Sequence, residues 1–299
     1  MVLYGADRLT EGAASLARRM RVPEIVIGLT IVSAGTSAPE LFVSLASALK
    51  GSSDMALGNV VGSNIMNVML IVGCSAVVAP MTISRNTVRK DIPFAILASL
   101  VLLLLCANNV LGLIDGIVLL AVFAVFMWYT LSQAVSGKSE AEAQEQQVTP
   151  WLSVVYMIAG LALLVFGSNI FVAAASRVAE SLGVSDAVIG LTIVAGGTSL
   201  PELATSVVAA SKGQSALAIG NVIGSNVFNI LCILGIVAVV KPMDIQGITT
   251  VDLSLMMGSV LLLWLFSRTR YLIQRWEGMV LLAGYCCYLA WLLFSVNLA

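Results

Sequence analysis

Two glutamates stand out in this sequence because of where they lie. Glu40 and Glu202 each sit inside an apolar stretch, whereas nearly all of the other acidic residues fall at helix ends, in loops or in a polar linker. An ionisable group in hydrocarbon is costly and by default marks a functional site. More oxygen is supplied around each one at helical spacing. Thr36 and Ser37 precede Glu40 by four and three residues, and Thr198 and Ser199 precede Glu202 in the same way, so each trio shares one helix face. Pro39 and Pro201 lack an N–H and press on the carbonyl four residues back. They are expected to break the helix, free the carbonyls of Gly35 and Gly197, and mark a lined cavity.

A second polar surface runs along two other segments. Asn59, Ser63 and Asn67 are spaced four apart, as are Asn221, Ser225 and Asn229, and each row makes a stripe of amides and hydroxyls. Gly58 with Gly62, and Gly220 with Gly224, form GxxxG patterns that let the stripe approach a neighbouring helix. Two carboxylates among hydroxyls, amides and carbonyls are the donor set of hard cations. The chain has no histidine, which excludes an imidazole site for zinc, copper or nickel. Its five cysteines lie in apolar segments and read as small hydrophobes. Any one Ser, Thr or Gly is ordinarily a packing residue of membrane helices, but packing explains neither a buried carboxylate nor its duplication. Asp115 reads as a helix cap, and Asp7 with Arg8 as a local ion pair.

The elements that must position these groups follow from composition and from a repeat. Of 299 residues, 59% are hydrophobic and 10% charged, against roughly a quarter charged in a soluble domain, so the chain cannot cover itself with polar surface. Gly28 to Gly73 aligns without a gap on Gly190 to Gly235 at an offset of 162, with 26 of 46 positions identical, which places one unit in the chain twice. Hydropathy predicts helices over 1-20, 24-49, 54-80, 91-108, 111-133, 151-181, 185-211, 216-240, 248-267 and 274-296. The expected fold is an all-α membrane protein of ten transmembrane helices, in repeats of five over 1-133 and 151-299. An odd number per repeat gives the two opposite orientations, that is, inverted topology. The polar segment 134-150 reads as a linker. Trp151 to Phe166 has no counterpart ahead of Met1, so the first helix is expected to be truncated. Met1 to Met20 carries Asp7, Arg8 and Glu11 rather than the pattern of a secretory signal.

Basic residues are biased in a way that suits this count. Loops after odd-numbered helices hold Arg18, Arg19, Arg21, Arg85, Arg89, Lys90, Lys138, Lys212, Arg268, Arg270 and Arg275, whereas the others hold Lys50, Arg177 and Lys241. The positive-inside rule then puts the linker in the cytoplasm and both termini outside, in the cell (inner) membrane. The net charge of -1 gives no reason to invoke nucleic acid.

The motifs GTSAPE and GTSLPE, with GNVVGSN and GNVIGSN, closely resemble the paired repeats of the calcium/cation antiporter superfamily, and within it the prokaryotic-type sodium/calcium exchangers. The proton/calcium branch typically has GNxxE in place of GTSxPE. The resemblance implies a secondary antiporter, not an enzyme, that exchanges Na+ for Ca2+ by alternating access without a cofactor, with its ions and the lipid bilayer as its partners and working as a monomer. It implies that Glu40 and Glu202 bridge calcium and also ligate sodium, that Thr36 and Thr198 add to the calcium site, and that Ser37, Ser199, Ser63 and Ser225 surround outer sodium sites. Ser33 and Ala195 would act through their carbonyls, and Asn67 and Asn229 would close the centre. Many sodium/calcium relatives have Asp where this chain has Asn229, which leaves two formal negative charges rather than three. Proton/calcium exchange and potassium-dependent sodium/calcium exchange are the alternatives, with a cation channel more remote.

Overall fold

The structure, a computed structural model, describes residues 1–136, 150–181 and 195–298. Among these residues the chain is almost wholly helical. The helices are α1 (Val2–Met20), α2 (Glu24–Thr36), α3 (Ala38–Leu49), α4 (Ser53–Val78), α5 (Thr87–Asn108), α6 (Leu113–Ser136), α7 (Pro150–Ser181), α8 (Ala195–Thr198), α9 (Leu200–Ser211), α10 (Ser215–Val240), α11 (Thr250–Arg268) and α12 (Arg275–Leu298). Four two-residue strands separate them: β1 (Met81–Thr82), β2 (Val110–Leu111), β3 (Met243–Asp244) and β4 (Leu272–Ile273). Most of the 134-150 linker, and Gly190 to Val194 at the head of the second motif region, fall outside the described residues.

Six of the helices are long and apolar enough to cross a membrane, or seven if α2 and α3 count as one bent span. The protein is therefore a multi-pass membrane protein. The amphipathic α1, with Asp7, Arg8, Glu11, Arg18 and Arg19 along it, is not among the six. It has 19 residues where α7 has 32. The predicted helix 24-49 is in fact two, bent by 45° at Ser37, as a proline at the second residue of α3 requires. The Gly35 carbonyl is not freed, because the cap N–H groups at the break bond to Gly35 and Ser33.

Helices α4 and α10 form the centre. Both are buried along 78% of their apolar windows, against 22–39% for α5, α6, α7 and α11. Helix α4 packs on α3 and α12, and α10 on α9, α2 and α6. Glycines set the closest crossings. A Cβ on Gly73 would lie 3.0 Å from the Gly278 carbonyl oxygen, and one on Gly235 would lie 3.3 Å from that of Gly116, so the offset of 162 relates these two crossings as well. Gly220 and Gly224 bring α10 against α2, where added methyls would meet the Ile25 carbonyl at 2.7 Å and Leu29 Cα at 2.7 Å. Nothing described lies within 4 Å of a Cβ on Gly62, and the segment equivalent to the α2 contact, 187–191, is outside the described residues.

The strands pair antiparallel as β1 with β4 and β2 with β3. Met81 faces Ile273 and Thr82 faces Leu272, whereas Met243 faces Leu111 and Asp244 faces Val110, so adding 162 to one half of each ribbon generates half of the other. Ribbon β1–β4 lies before α5 and ribbon β2–β3 after it, which places them at opposite ends of a helix of 22 residues, roughly 33 Å long. The ends differ in one respect. Asp54 Oδ1 accepts the N–H groups of Gln246 and Gly247 at 2.9 and 2.8 Å and pins the loop after β3. The equivalent of Asp54 is Ala216, which lines a cleft of about 270 Å³ with Ile83 and Ser84.

The pairing of α1 with α7 is tight at Gly160, where a Cβ would stand 2.6 Å from both the Gly5 carbonyl oxygen and the Leu9 nitrogen. Gly160→Val is therefore expected to lower the thermal midpoint of the detergent-solubilised protein by an overpacking cost of about 1–3 kcal/mol. Gly258→Ala, with nothing described within 4 Å, should leave it unchanged or raise it.

Candidate functional site

The helix breaks bring the predicted residues of both halves together. Helix α2 ends at Thr36 and α3 begins at Ala38, and in the second half α8 ends at Thr198 and α9 begins at Leu200. Ser37 and Ser199 occupy the breaks with φ, ψ near −84°, 5° and −89°, 6°, which turns each hydroxyl out of its own helix. Each then reaches the opposite half: Ser37 Oγ donates to Glu202 Oε1 at 2.9 Å, and Ser199 Oγ donates to Glu40 Oε1 at 3.0 Å. The Thr198 and Thr36 hydroxyls also face the carboxylates of Glu40 and Glu202, respectively. Ser63 Oγ lies 3.1 Å from Ser199 Oγ, which ties α4 to the same cluster.

Both glutamates are 0% exposed. Each has one satisfied oxygen, while Glu40 Oε2 and Glu202 Oε2 are buried with no partner among the described residues. The same is true of Asn67 Oδ1, Ser225 Oγ and both amide atoms of Asn229. A buried unsatisfied polar atom costs about 1–3 kcal/mol, and more when charged. An ionised carboxylate left in this way costs several kcal/mol. The two unpartnered carboxylate oxygens are the costliest of these, and with Asn67 Oδ1, Ser225 Oγ and Asn229 Oδ1 they are acceptors that a cation would satisfy, whereas Asn229 Nδ2 is a donor. No group of three or more His, Cys, Asp or Glu side chains gathers among the described residues, so two carboxylates and neutral oxygens are the available donor set.

Of the remaining predicted residues, Thr36 Oγ1 lies 3.1 Å from the Val32 carbonyl oxygen, 3.4 Å from that of Ser33 and 3.2 Å from Asn221 Oδ1. Its single proton has three possible acceptors, and its lone pairs stay available. The Ser33 carbonyl also accepts the Ser37 N–H at 3.0 Å, and Ala195 opens α8. Asn67 Nδ2 donates to Asn226 Oδ1 at 3.0 Å, so α4 and α10 touch through amides.

Sequence reasoning did not single out Ser44, Ser206, Asn64 or Asn226 for the site. Asn64 Nδ2 donates to the Val60 carbonyl at 2.7 Å and leaves Oδ1 unpartnered. The available signal was the repeat itself, because Ser44 and Ser206 recur at the same offset one turn beyond each glutamate. Nothing in the sequence announced the π-helical turns at Gly28–Val32, Asn67–Val72 and Phe228–Ile233. Such wide turns insert a residue into the helix and occur often at functional sites. Here two of them begin at or beside Asn67 and Asn229. Outside the site, Asp115 Oδ2 accepts the Gly112 N–H at 2.8 Å, as a cap would. Asp7 pairs with Arg8 at 3.1 Å and also with Lys212 at 2.6 Å, so it links α1 to the end of α9 rather than serving only a local pair.

Comparison with known proteins places this architecture. The profile of the family described as "Sodium/calcium exchanger protein" matches residues 1–132 and again 152–294. CaxA of Alkalimonas amylolytica is 40% identical over 99% of this chain and 96% of its own length. The sodium/calcium exchanger MaX1 of Methanosarcina acetivorans is 32% identical over 98% of this chain and 95% of its own. Among solved structures, that of the sodium-calcium exchanger NCX_Mj superposes with a TM-score of 0.86 at 32% identity, covering 97% of this chain and 94% of that one.

If the unpartnered carboxylate oxygens await a cation, calcium should raise the thermal midpoint of the purified protein. Saturation at a hundred times Kd corresponds to about 2.7 kcal/mol. Glu40→Gln should lose most of that shift, which differential scanning fluorimetry in calcium-free and calcium-replete buffer would read.

Proposed function

From the membership of this chain in the sodium/calcium exchanger family, which those matches establish, we propose that it exchanges Na+ for Ca2+ at a single site between Glu40 and Glu202. The observation that carries this reading is the reciprocal crossing of the two halves, Ser37 to Glu202 and Ser199 to Glu40, around two carboxylates that each keep one buried oxygen unpartnered.

Calcium takes six to eight oxygens at about 2.3–2.6 Å in flexible geometry. Glu40 and Glu202 supply its countercharge. Thr36, Thr198, Asn67 and Asn229 supply neutral oxygen, and the carbonyls of Ser33 and Ala195 complete the shell. Ser37, Ser199, Ser63 and Ser225 flank the carboxylates, where sodium ions sit once calcium has left. Two sodium ions cancel the same two charges as one calcium.

Exchange rather than leak follows from desolvation. With no cation bound, two buried carboxylates face each other unpaired, and moving them past the apolar wall costs several kcal/mol per charge. The loaded protein is free of that cost. Reorientation therefore accompanies a bound ion, and one gradient drives the other.

Ten crossings in two inverted repeats of five belong to the same proposal. The two strand ribbons, which interchange under the offset of 162 and stand at opposite ends of α5, support it. In such an arrangement an outward path in one half becomes an inward path in the other. The basic loops then face the cytoplasm and the termini face outward, as the distribution of Lys and Arg favours. Asn229 in place of a carboxylate keeps the site at two formal charges.

The test is calcium uptake into proteoliposomes with sodium, potassium and proton gradients imposed one at a time. A sodium gradient alone should drive uptake, and Glu40→Gln or Glu202→Gln should reduce it to the rate of empty vesicles. Uptake driven by a pH gradient without sodium would replace this reading with proton exchange. Sustained calcium flux with no counter-ion would replace it with a channel.

A further inference from the structure

Each glutamate is held from behind by an amide. Asn59 Nδ2 donates to the main-chain carbonyl of Glu40 at 3.2 Å and to Ser44 Oγ at 2.9 Å. Asn221 Nδ2 makes the same pair of contacts in the other half, to the Glu202 carbonyl at 3.5 Å and to Ser206 Oγ at 3.0 Å. Ser44 and Ser206 are 0% exposed, and both follow their glutamate by one helical turn. The amide thus bridges two successive turns of α3 or α9, just after the proline that leaves the first turn short of a main-chain hydrogen bond. Asn221 does one thing more: its Oδ1 lies 3.2 Å from the Thr36 hydroxyl of the opposite half. A single side chain thereby touches the backbone under the Glu202 carboxylate and, from the opposite half, a hydroxyl that faces that same carboxylate.

We infer that Asn59 and Asn221 are positioning residues that set the spacing of the two carboxylates by gripping the main chain of Glu40 and Glu202, with Ser44 and Ser206 holding each amide in register. They bind no ion themselves. An amide offers two N–H donors, and here both are committed to the helix that carries the glutamate, so the main chain beneath the carboxylate cannot shift without breaking two hydrogen bonds. Groups that orient ligands in this way typically change metal affinity 10–100-fold when removed. The inference rests on the cation site proposed above.

The experiment is calcium binding by isothermal titration calorimetry on the purified full chain, with thermal midpoints of the cation-free proteins as a check on folding. Asn59→Ala should weaken calcium binding about 10–100-fold. Ser44→Ala should weaken it less, and the double variant should be no weaker than Asn59→Ala alone, because the serine acts through the amide. Asn221→Ala, in the other half, should show the same loss independently and serves if the Asn59 variants fail to fold. Wild-type affinity in Asn59→Ala or Asn221→Ala, or strictly additive losses for Asn59 and Ser44, would overturn the positioning role. A lowered midpoint with unchanged affinity would do so too, since it would reduce these contacts to packing. Absence of any calcium heat from the wild-type protein would instead overturn the functional reading, and this inference with it.

Discussion

The interaction on which the rest of the structure depends is the mutual capture of two buried carboxylates by serines from the opposite half of the chain. Ser37 and Ser199 each satisfy one oxygen of the glutamate across from them, and the second oxygen of each has no partner among the described residues. This arrangement constrains everything near it. The serines can reach across because each sits in a helix break, and a proline stands two residues after each serine. The fragments on either side of a break need lateral support, and α4 and α10 provide it as the two most buried helices of the apolar set.

The halves are related closely, but they are not interchangeable. The offset of 162 carries over the serine–glutamate pairs, the asparagine grips, the glycine crossings and the strand ribbons. It does not carry over Asp54, whose counterpart Ala216 leaves a cleft where the other end has a pinned loop. Nor does it carry over the Asp7–Lys212 ion pair, since the equivalents are Asn169 and Lys50. Ser63 is engaged near Ser199, whereas Ser225 is unpartnered. Asn67 bonds to Asn226, whereas the Asn229 amide has no partner among the described residues. The differences gather at the two ends and on one flank of the centre, while the serine–glutamate and asparagine–main-chain contacts recur in both halves.

Much of the site was legible in particular residues. Glu40 and Glu202 were visible because a carboxylate in an apolar run has so few structural explanations. Thr36, Ser37, Thr198 and Ser199 were visible because helical spacing put them on the same face. Pro39 foretold the bend at Ser37, yet not the fate of the Gly35 carbonyl, because a cap N–H takes that carbonyl up at the break. The GxxxG of α10 does bring it against α2. The asparagine stripe was seen as a polar surface, but its division of labour was not: Asn59 and Asn221 turn to the main chain beneath the glutamates, whereas Asn67 meets Asn226 across the centre. Spacing along one helix cannot distinguish these, since it says which side chains share a face and nothing about what stands opposite.

The sequence by itself determined that this is a membrane chain built from a duplicated unit with one costly acid per copy, because hydropathy, repetition and the energetics of buried charge are properties of residue type and order. Only the tertiary structure decided that each acid is satisfied by the other copy's serine, that one oxygen of each remains open, and that π-helical turns begin at or beside the central asparagines. Those outcomes hang on distances between segments more than a hundred residues apart, and such distances are set by how helices cross and bend, which no local pattern of residues encodes.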